Sequence, residues 1–189
     1  LIPSGALGLG YDRAALARGI GQKPDIIAID GGSTDSGPHY LGTGTSKYSR
    51  NSIKAEWREL MQARAEAQVP LIIGTSGTCG ADSAVDWLVD ITREIAAETG
   101  QSLKVAVLKS GQSSSAMKRA YQAGKISPLP AAPKICDAIF DDCTNIVALA
   151  GAEQIQEALN TGADIVIAGR TTDTAIISAL PLLRGCHAG

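Results

Sequence analysis

Residues suited to chemistry gather in four polar turns, each directly after an apolar run. The first, "IIAIDGGSTDSGPHYLGTG", carries Asp30, Gly31, Gly32, Ser33, Thr34 and Asp35, with His39 close behind. A carboxylate at a strand end, followed by glycines, permits close backbone approach to a ligand, and the hydroxyls add donors. Asp30 is a candidate proton carrier there, and His39 a candidate general base near neutral pH. The same side chains could instead satisfy turn backbone groups, the ordinary work of Asp and Ser in loops. The length of this loop and its density of functional groups favour ligand contact.

The second turn, "GTSGTCGAD", holds Thr75, Ser76, Gly77, Thr78 and Cys79 just before a helical pattern. A helix start offers free N–H groups that favour an anion and a thiolate. Cys79 is thus a candidate nucleophile or proton carrier, although the stretch supplies no base and a buried inert thiol is the plainer reading. The backbone from Thr75 to Gly80 is a candidate anion cradle. In "LKSGQSS", Lys109 and Ser110 end another apolar run, and in "AGRTTD" Arg170 and Thr171 end the last one. A lysine can meet a carboxylate or phosphate, and an arginine fork can grip a carboxylate in two places. Asp82 and Asp173 read first as helix caps.

Other chemistries are less well supported. Asp30 and Asp35 could hold Mg²⁺, yet nothing sets a coordination geometry. Glycines at Gly5, Gly8 and Gly10 miss the dinucleotide spacing, which disfavours a nicotinamide cofactor. The "IDGGST" stretch also resembles the first phosphate loop of sugar kinases and actin-like ATPases. That loop joins two antiparallel strands, and "DSGPHYLGTGTSKYSR" lacks the apolar alternation of a second strand.

The elements that position these turns follow a repeated order. An apolar run, a polar turn and a helical pattern recur six times, beginning at "LIPSGALGLG", "DIIAID", "PLIIGTSG", "LKVAVLKSG", "NIVALAG" and "DIVIAGRTTD". Such alternation predicts an α/β fold: an open, mainly parallel three-layer sheet with helices on both faces, Rossmann-like but without the dinucleotide fingerprint. Helix end signals include Asp82 or Ser83 as an N-cap, with Gly100 and Gly162 as stops. In open α/β sheets ligands bind beyond the carboxyl ends of the strands, where all four polar turns fall. The stretch 127–143, "SPLPAAPKICDAIFDDC", breaks the rhythm with three prolines and reads as an insertion or flap ending in an acidic helical turn.

Composition narrows the function classes. The 189 residues are 44% hydrophobic but only 4% aromatic, a palette of small and branched residues suited to strands buried on both faces. A net charge of −2 gives no reason to expect nucleic acid or a membrane surface as partner. The four cysteines show no metal-ligand or disulfide spacing, so reduced thiols in a cytoplasmic protein are expected. Residues 1–189 read as one α/β domain that is the N-terminal part of a longer chain, because "LIPSG" starts in mid-strand.

Taken in order, "LIPSGALGLG", "AIDGGSTDSGPHYLGTG", "GTSGTCGAD", "LKSGQSS" and "ADIVIAGRTTDTA" resemble the N-terminal part of acyclic terpene utilisation AtuA-like proteins. The resemblance implies a cytoplasmic catabolic protein. It also implies a C-terminal domain or small companion subunit beside this chain. It brings no catalytic residues with it, so the site rests on the residues themselves. Together they lead to an enzyme, a lyase or hydratase acting on a small carboxylate or acyl-CoA without a redox cofactor. Lys109, Arg170 and the glycine-loop amides would hold the anion, and Asp30, His39 or Cys79 would move a proton. Homo-oligomer formation is a further expectation. The rival readings are a non-catalytic binding subunit of a carboxylase or acyl-CoA complex, and a phosphoryl-transfer enzyme using the Asp30 loop.

Overall fold

The computed structural model describes residues 1–32 and 38–186. Ser33, Thr34 and Asp35 of the first polar turn lie outside the described residues, as does His187. In chain order the elements are α1 (Arg13–Gly21), β1 (Ile27–Asp30), α2 (His39–Thr43), α3 (Arg50–Ala67), β2 (Leu71–Gly74) and α4 (Asp82–Thr99). They continue with β3 (Val105–Leu108), α5 (Ser114–Gln122), α6 (Ile139–Asp142), α7 (Ala152–Asn160), β4 (Ile165–Ala168) and α8 (Ala175–Leu183).

The four strands form one parallel sheet in the order β1-β2-β4-β3. Alternate side chains go to opposite faces, as the period of two requires. Ile27, Ile29, Leu71, Ile73, Ile165 and Ile167 pack against Ile53, Trp57 and Leu60 of α3 and Val85, Leu88 and Ile91 of α4. Ala28, Ile72, Val166 and Ala168 face Ile155 and Leu159 of α7 and Ile176 and Ala179 of α8. The sheet is therefore covered by helices on both faces, which is the α/β class expected.

Among the described residues four strands stand where six apolar runs were read. "LIPSGALGLG" runs beside β1 without joining the ladder: Leu1 and Leu7 make separate bonds to Ile26, Ala28 and Asp30. Its glycines break the pleat, and Gly8 and Gly10 adopt positive φ angles of 101° and 81°. "NIVALAG" contributes only isolated bridges, Val147 to Gly111 and Ala150 to Thr171, with Leu149 left exposed.

Helix ends follow the signals in part. Gly100 caps α4 in the left-handed region at φ 66°, and Gly162 follows α7 at φ 74°. The start of α4 is different: the N-cap is Ala81, with no side-chain cap, and Asp82 is the first helical residue. Residues 127–143 lie outside the sheet and are largely exposed, with Phe140 of α6 buried against Tyr121 at 5.7 Å between ring centroids.

One buried carboxylate ties the N-terminal segment down. Glu56 of α3 accepts from the N–H groups of Gly8 at 2.6 Å and Gly10 at 2.9 Å. Its two oxygens thereby replace water with backbone donors, the condition under which a buried charge is tolerated.

Candidate functional site

All four polar turns project from the carboxyl ends of the strands. The helix after β2 packs on one face of the sheet and the helix after β4 on the other. Neighbouring strands whose connections part in this way open a crevice between their ends, the place where open α/β sheets take ligands. Here that point lies between β2 and β4, where the two turns themselves pack on each other.

The turns interlock through their glycines. A β-carbon on Gly31 would strike the Thr75 carbonyl, and one on Gly74 would strike the Thr171 hydroxyl. On Gly80 it would lie 2.5 Å from the Arg170 nitrogen, and on Gly169 it would lie 2.7 Å from Ser110 Oγ. In strand order, each turn thus rests directly on the next, through backbone at Gly31 and Gly80 and through a hydroxyl side chain at Gly74 and Gly169. This explains Gly31, Gly74 and Gly169 at the ends of β1, β2 and β4: a side chain there would hold the turns apart.

Hydrogen bonds complete the joint. Thr75 donates its N–H to Gly169 O, Ser76 to Ala168 O, Thr78 to Gly31 O and Gly80 to Ser76 O, all within 3.1 Å. The Ser76 hydroxyl donates to Ala168 O at 2.7 Å, and Thr75 Oγ1 accepts from the Thr171 N–H at 3.4 Å. Thr75, Ser76, Thr78 and Thr171 are buried. Their polar groups hold the turns together, with Gly77 packed against Ala84. Thr75 and Thr78 also adopt positive φ angles of 49° and 76°. β-Branched residues avoid that region, and such strain collects at functional sites.

Asp30 ends β1 and is half-buried, with Oδ1 accepting from the Gly32 N–H at 3.2 Å. Burial is the main cause that pushes its carboxyl up to about 6. The backbone N–H of Gly32 opposes the rise, the Asp173 charge adds to it, and Gly31 N–H and Arg170 also oppose it. Asp30 therefore shares a local field with Arg170 and Asp173 from the turn after β4, two strand spacings or about 10 Å away across the sheet. An arginine side chain spans most of that distance. Arg170 is itself half-buried, and its carbonyl accepts from Ala150 N–H at 2.9 Å.

The other candidates are placed apart from this pair. Lys109 ends β3 on the far edge of the sheet and pairs with Asp86 of α4 at 2.8 Å, both exposed. Ser110 is buried, and its hydroxyl donates to the Arg170 carbonyl at 3.3 Å. Cys79 is buried under α2, packed with Ala81, Ala84, Tyr40 and Leu41. His39 opens α2, exposed, with its ring edge-on to Tyr40 at 5.2 Å. Sequence reasoning passed over two acids, having read them as caps. Asp173 acts on Asp30 while Thr174 occupies the N-cap of α8, and Asp82 bonds to the turn after β3. Their position directly after glycine- and threonine-rich turns was the available signal.

The structure is a parallel α/β sheet with an acid and an arginine at its carboxyl edge, the edge at which open sheets of this class take ligands. The chain belongs to the family described as Acyclic terpene utilisation family protein AtuA, whose sequence model matches residues 39–183. No curated protein and no solved structure gives a significant match.

Proposed function

We propose that this chain is a cytoplasmic catabolic enzyme of acyclic terpene and organic-acid utilisation, a lyase or hydratase acting on a small carboxylate or its CoA thioester. The observation that carries the reading is the half-buried Asp30, its carboxyl raised to about 6, in the field of Arg170 at the carboxyl edge of the sheet. Arg170 anchors the carboxylate or thioester oxygen and, through that oxygen, stabilises negative charge on the adjacent carbon. In dehydration Asp30 takes the proton from that carbon and passes it to the hydroxyl that leaves the next carbon as water; in hydration it takes a proton from the attacking water and delivers it to the same carbon. A carboxyl near 6 suits both duties, because at neutral pH it is mostly a base yet is readily protonated.

The family description supports the catabolic setting. Four unpaired cysteines, three of them exposed, suit a reducing compartment. No helix among the described residues is long and apolar enough to cross a membrane. Ile177 and Leu183 are exposed on α8, and a second domain or small companion subunit is proposed to pack there. The phosphoryl-transfer reading loses support, since β1 pairs in parallel with β2 and the described residues after it enter helices.

The test is turnover of geranate, its 3-hydroxy hydration product and their CoA thioesters by the purified protein, followed by the change in conjugated double-bond absorbance. Turnover that Asp30→Asn abolishes while binding persists, and binding that Arg170→Gln weakens, is the expected result. Tight binding without turnover would make the chain a binding subunit instead.

A further inference from the structure

We propose that Asp82 is a positioning residue for Arg170: its carboxylate ties the turn after β3 to the start of α4, and so holds the backbone from which the Arg170 side chain reaches. The proposal rests on reading Asp30 and Arg170 as the site.

β2 and β3 are not neighbours, because β4 lies between them. Asp82 opens the helix that follows β2, yet its Oδ1 accepts from Ser110 N–H at 3.2 Å and Gly111 N–H at 2.9 Å. Both donors belong to the turn after β3. The bonds therefore cross the carboxyl end of β4, where Arg170 begins its own turn.

Arg170 is held on either flank of that crossing. On one side Gly80 brings its Cα close enough that a β-carbon would sit 2.5 Å from the Arg170 nitrogen. On the other side the Ser110 hydroxyl donates to the Arg170 carbonyl. Ser110 is the joint: Asp82 holds its N–H, and its hydroxyl holds Arg170. A capping role accounts for none of this, since Ala81 is the cap and the partners of Asp82 lie 28 and 29 residues away.

A guanidinium on a long side chain is displaced by small rotations of its backbone, and such misplacement is costly in a site. Loss of the Asp82 bonds should therefore move the Arg170 charge relative to Asp30 without removing it. The Asp30 carboxyl reports that movement, because Arg170 lowers its proton affinity while Asp173 raises it.

The experiment is a ¹³C NMR titration of the Asp30 carboxyl in the whole chain, in Asp82→Ala, Asp82→Asn, Arg170→Gln and the Asp82→Ala/Arg170→Gln pair. Asp82→Ala should shift the Asp30 midpoint upward, in the direction of Arg170→Gln, and should add nothing once Arg170 is gone. Asp82→Asn, whose amide oxygen still accepts both N–H groups, should restore the original midpoint. If Asp82→Ala does not fold, Gly111→Ala takes its place, because a β-carbon there would meet Asp82 Oδ2 at 2.6 Å and push the carboxylate off its partners. An unmoved midpoint in either folded variant, with Arg170→Gln still moving it, overturns the positioning role. An unmoved midpoint in Arg170→Gln itself overturns the coupling of Asp30 to Arg170, and with it the site on which the proposal rests.

Discussion

The indole N–H of Trp57 donates to the hydroxyl of Thr92 at 2.8 Å, joining α3 to α4 inside the core. The Thr92 hydroxyl in turn donates to Leu88 O at 2.8 Å, so both buried polar groups are satisfied. Thr92→Val keeps the shape but leaves the indole N–H without an acceptor. It should destabilise by about 1–3 kcal/mol in denaturant unfolding. Thr92→Ser keeps the acceptor and should cost less.

Asp30 gives the fold a pH signature. Burial, with the Asp173 charge adding to it, raises the carboxyl from 3.8 to about 6 against the opposing Gly32 and Gly31 N–H groups and Arg170. The folded protein thus holds this proton more tightly than the unfolded chain. The resulting stability is fully present below about pH 4 and is lost as the pH rises through 6. Discounted for partial exposure, the loss by neutral pH is about 1–2 kcal/mol. Asp30→Asn should flatten the pH dependence of unfolding between pH 4 and 6 and leave the fold intact. A large drop in melting temperature at pH 7 would instead mark Asp30 as a structural acceptor.

Glu56 should behave in the opposite way to a site residue. Glu56→Gln keeps one accepting oxygen but places an amide donor where Gly8 or Gly10 also offers an N–H. A loss of about 1–3 kcal/mol is expected, with faster amide hydrogen exchange at Gly8 and Gly10. Catalysis per folded molecule should be unchanged.

Gly80→Ala separates close packing from backbone strain. Gly80 and Gly100 share a left-handed φ, 68° and 66°, but only Gly80 has a neighbour within 4 Å of the added carbon. Gly100→Ala should cost about 1–2 kcal/mol from conformation alone. Gly80→Ala should cost about 1–3 kcal/mol more, because the Arg170 backbone it meets cannot rotate away as a side chain can. It should also weaken carboxylate binding, which isothermal titration with citronellate would show.

Much of this protein is written locally. Four strands fall where unbroken runs such as "LIIG" and "IVIA" stand, and α3 and α4 fall where apolar residues recur at three and four. Hydrophobic period is a property of neighbouring residues, so alternation of strand and helix, and hence the α/β class, is legible without coordinates. Asp30 and Arg170 were legible as candidates for the same reason, since each ends an apolar run.

Tertiary structure decided the rest. Strand order depends on which helix covers which face, a choice made between residues far apart in the chain; β4 enters between β2 and β3 only when its flanking helices α7 and α8 cover the second face. That order set Arg170 within reach of Asp30 and left Lys109 at the far edge with Asp86. It also turned the glycines after the strands into contact points between turns, where the sequence alone suggested a ligand cradle. Asp82 makes the same point in one residue: its spacing to the helix suggests a cap, while its bonds run to Ser110 and Gly111 across an intervening strand. Local pattern determines what each segment is, because propensity and periodicity act over a few residues. Which segments meet is settled only when the whole apolar surface is buried at once.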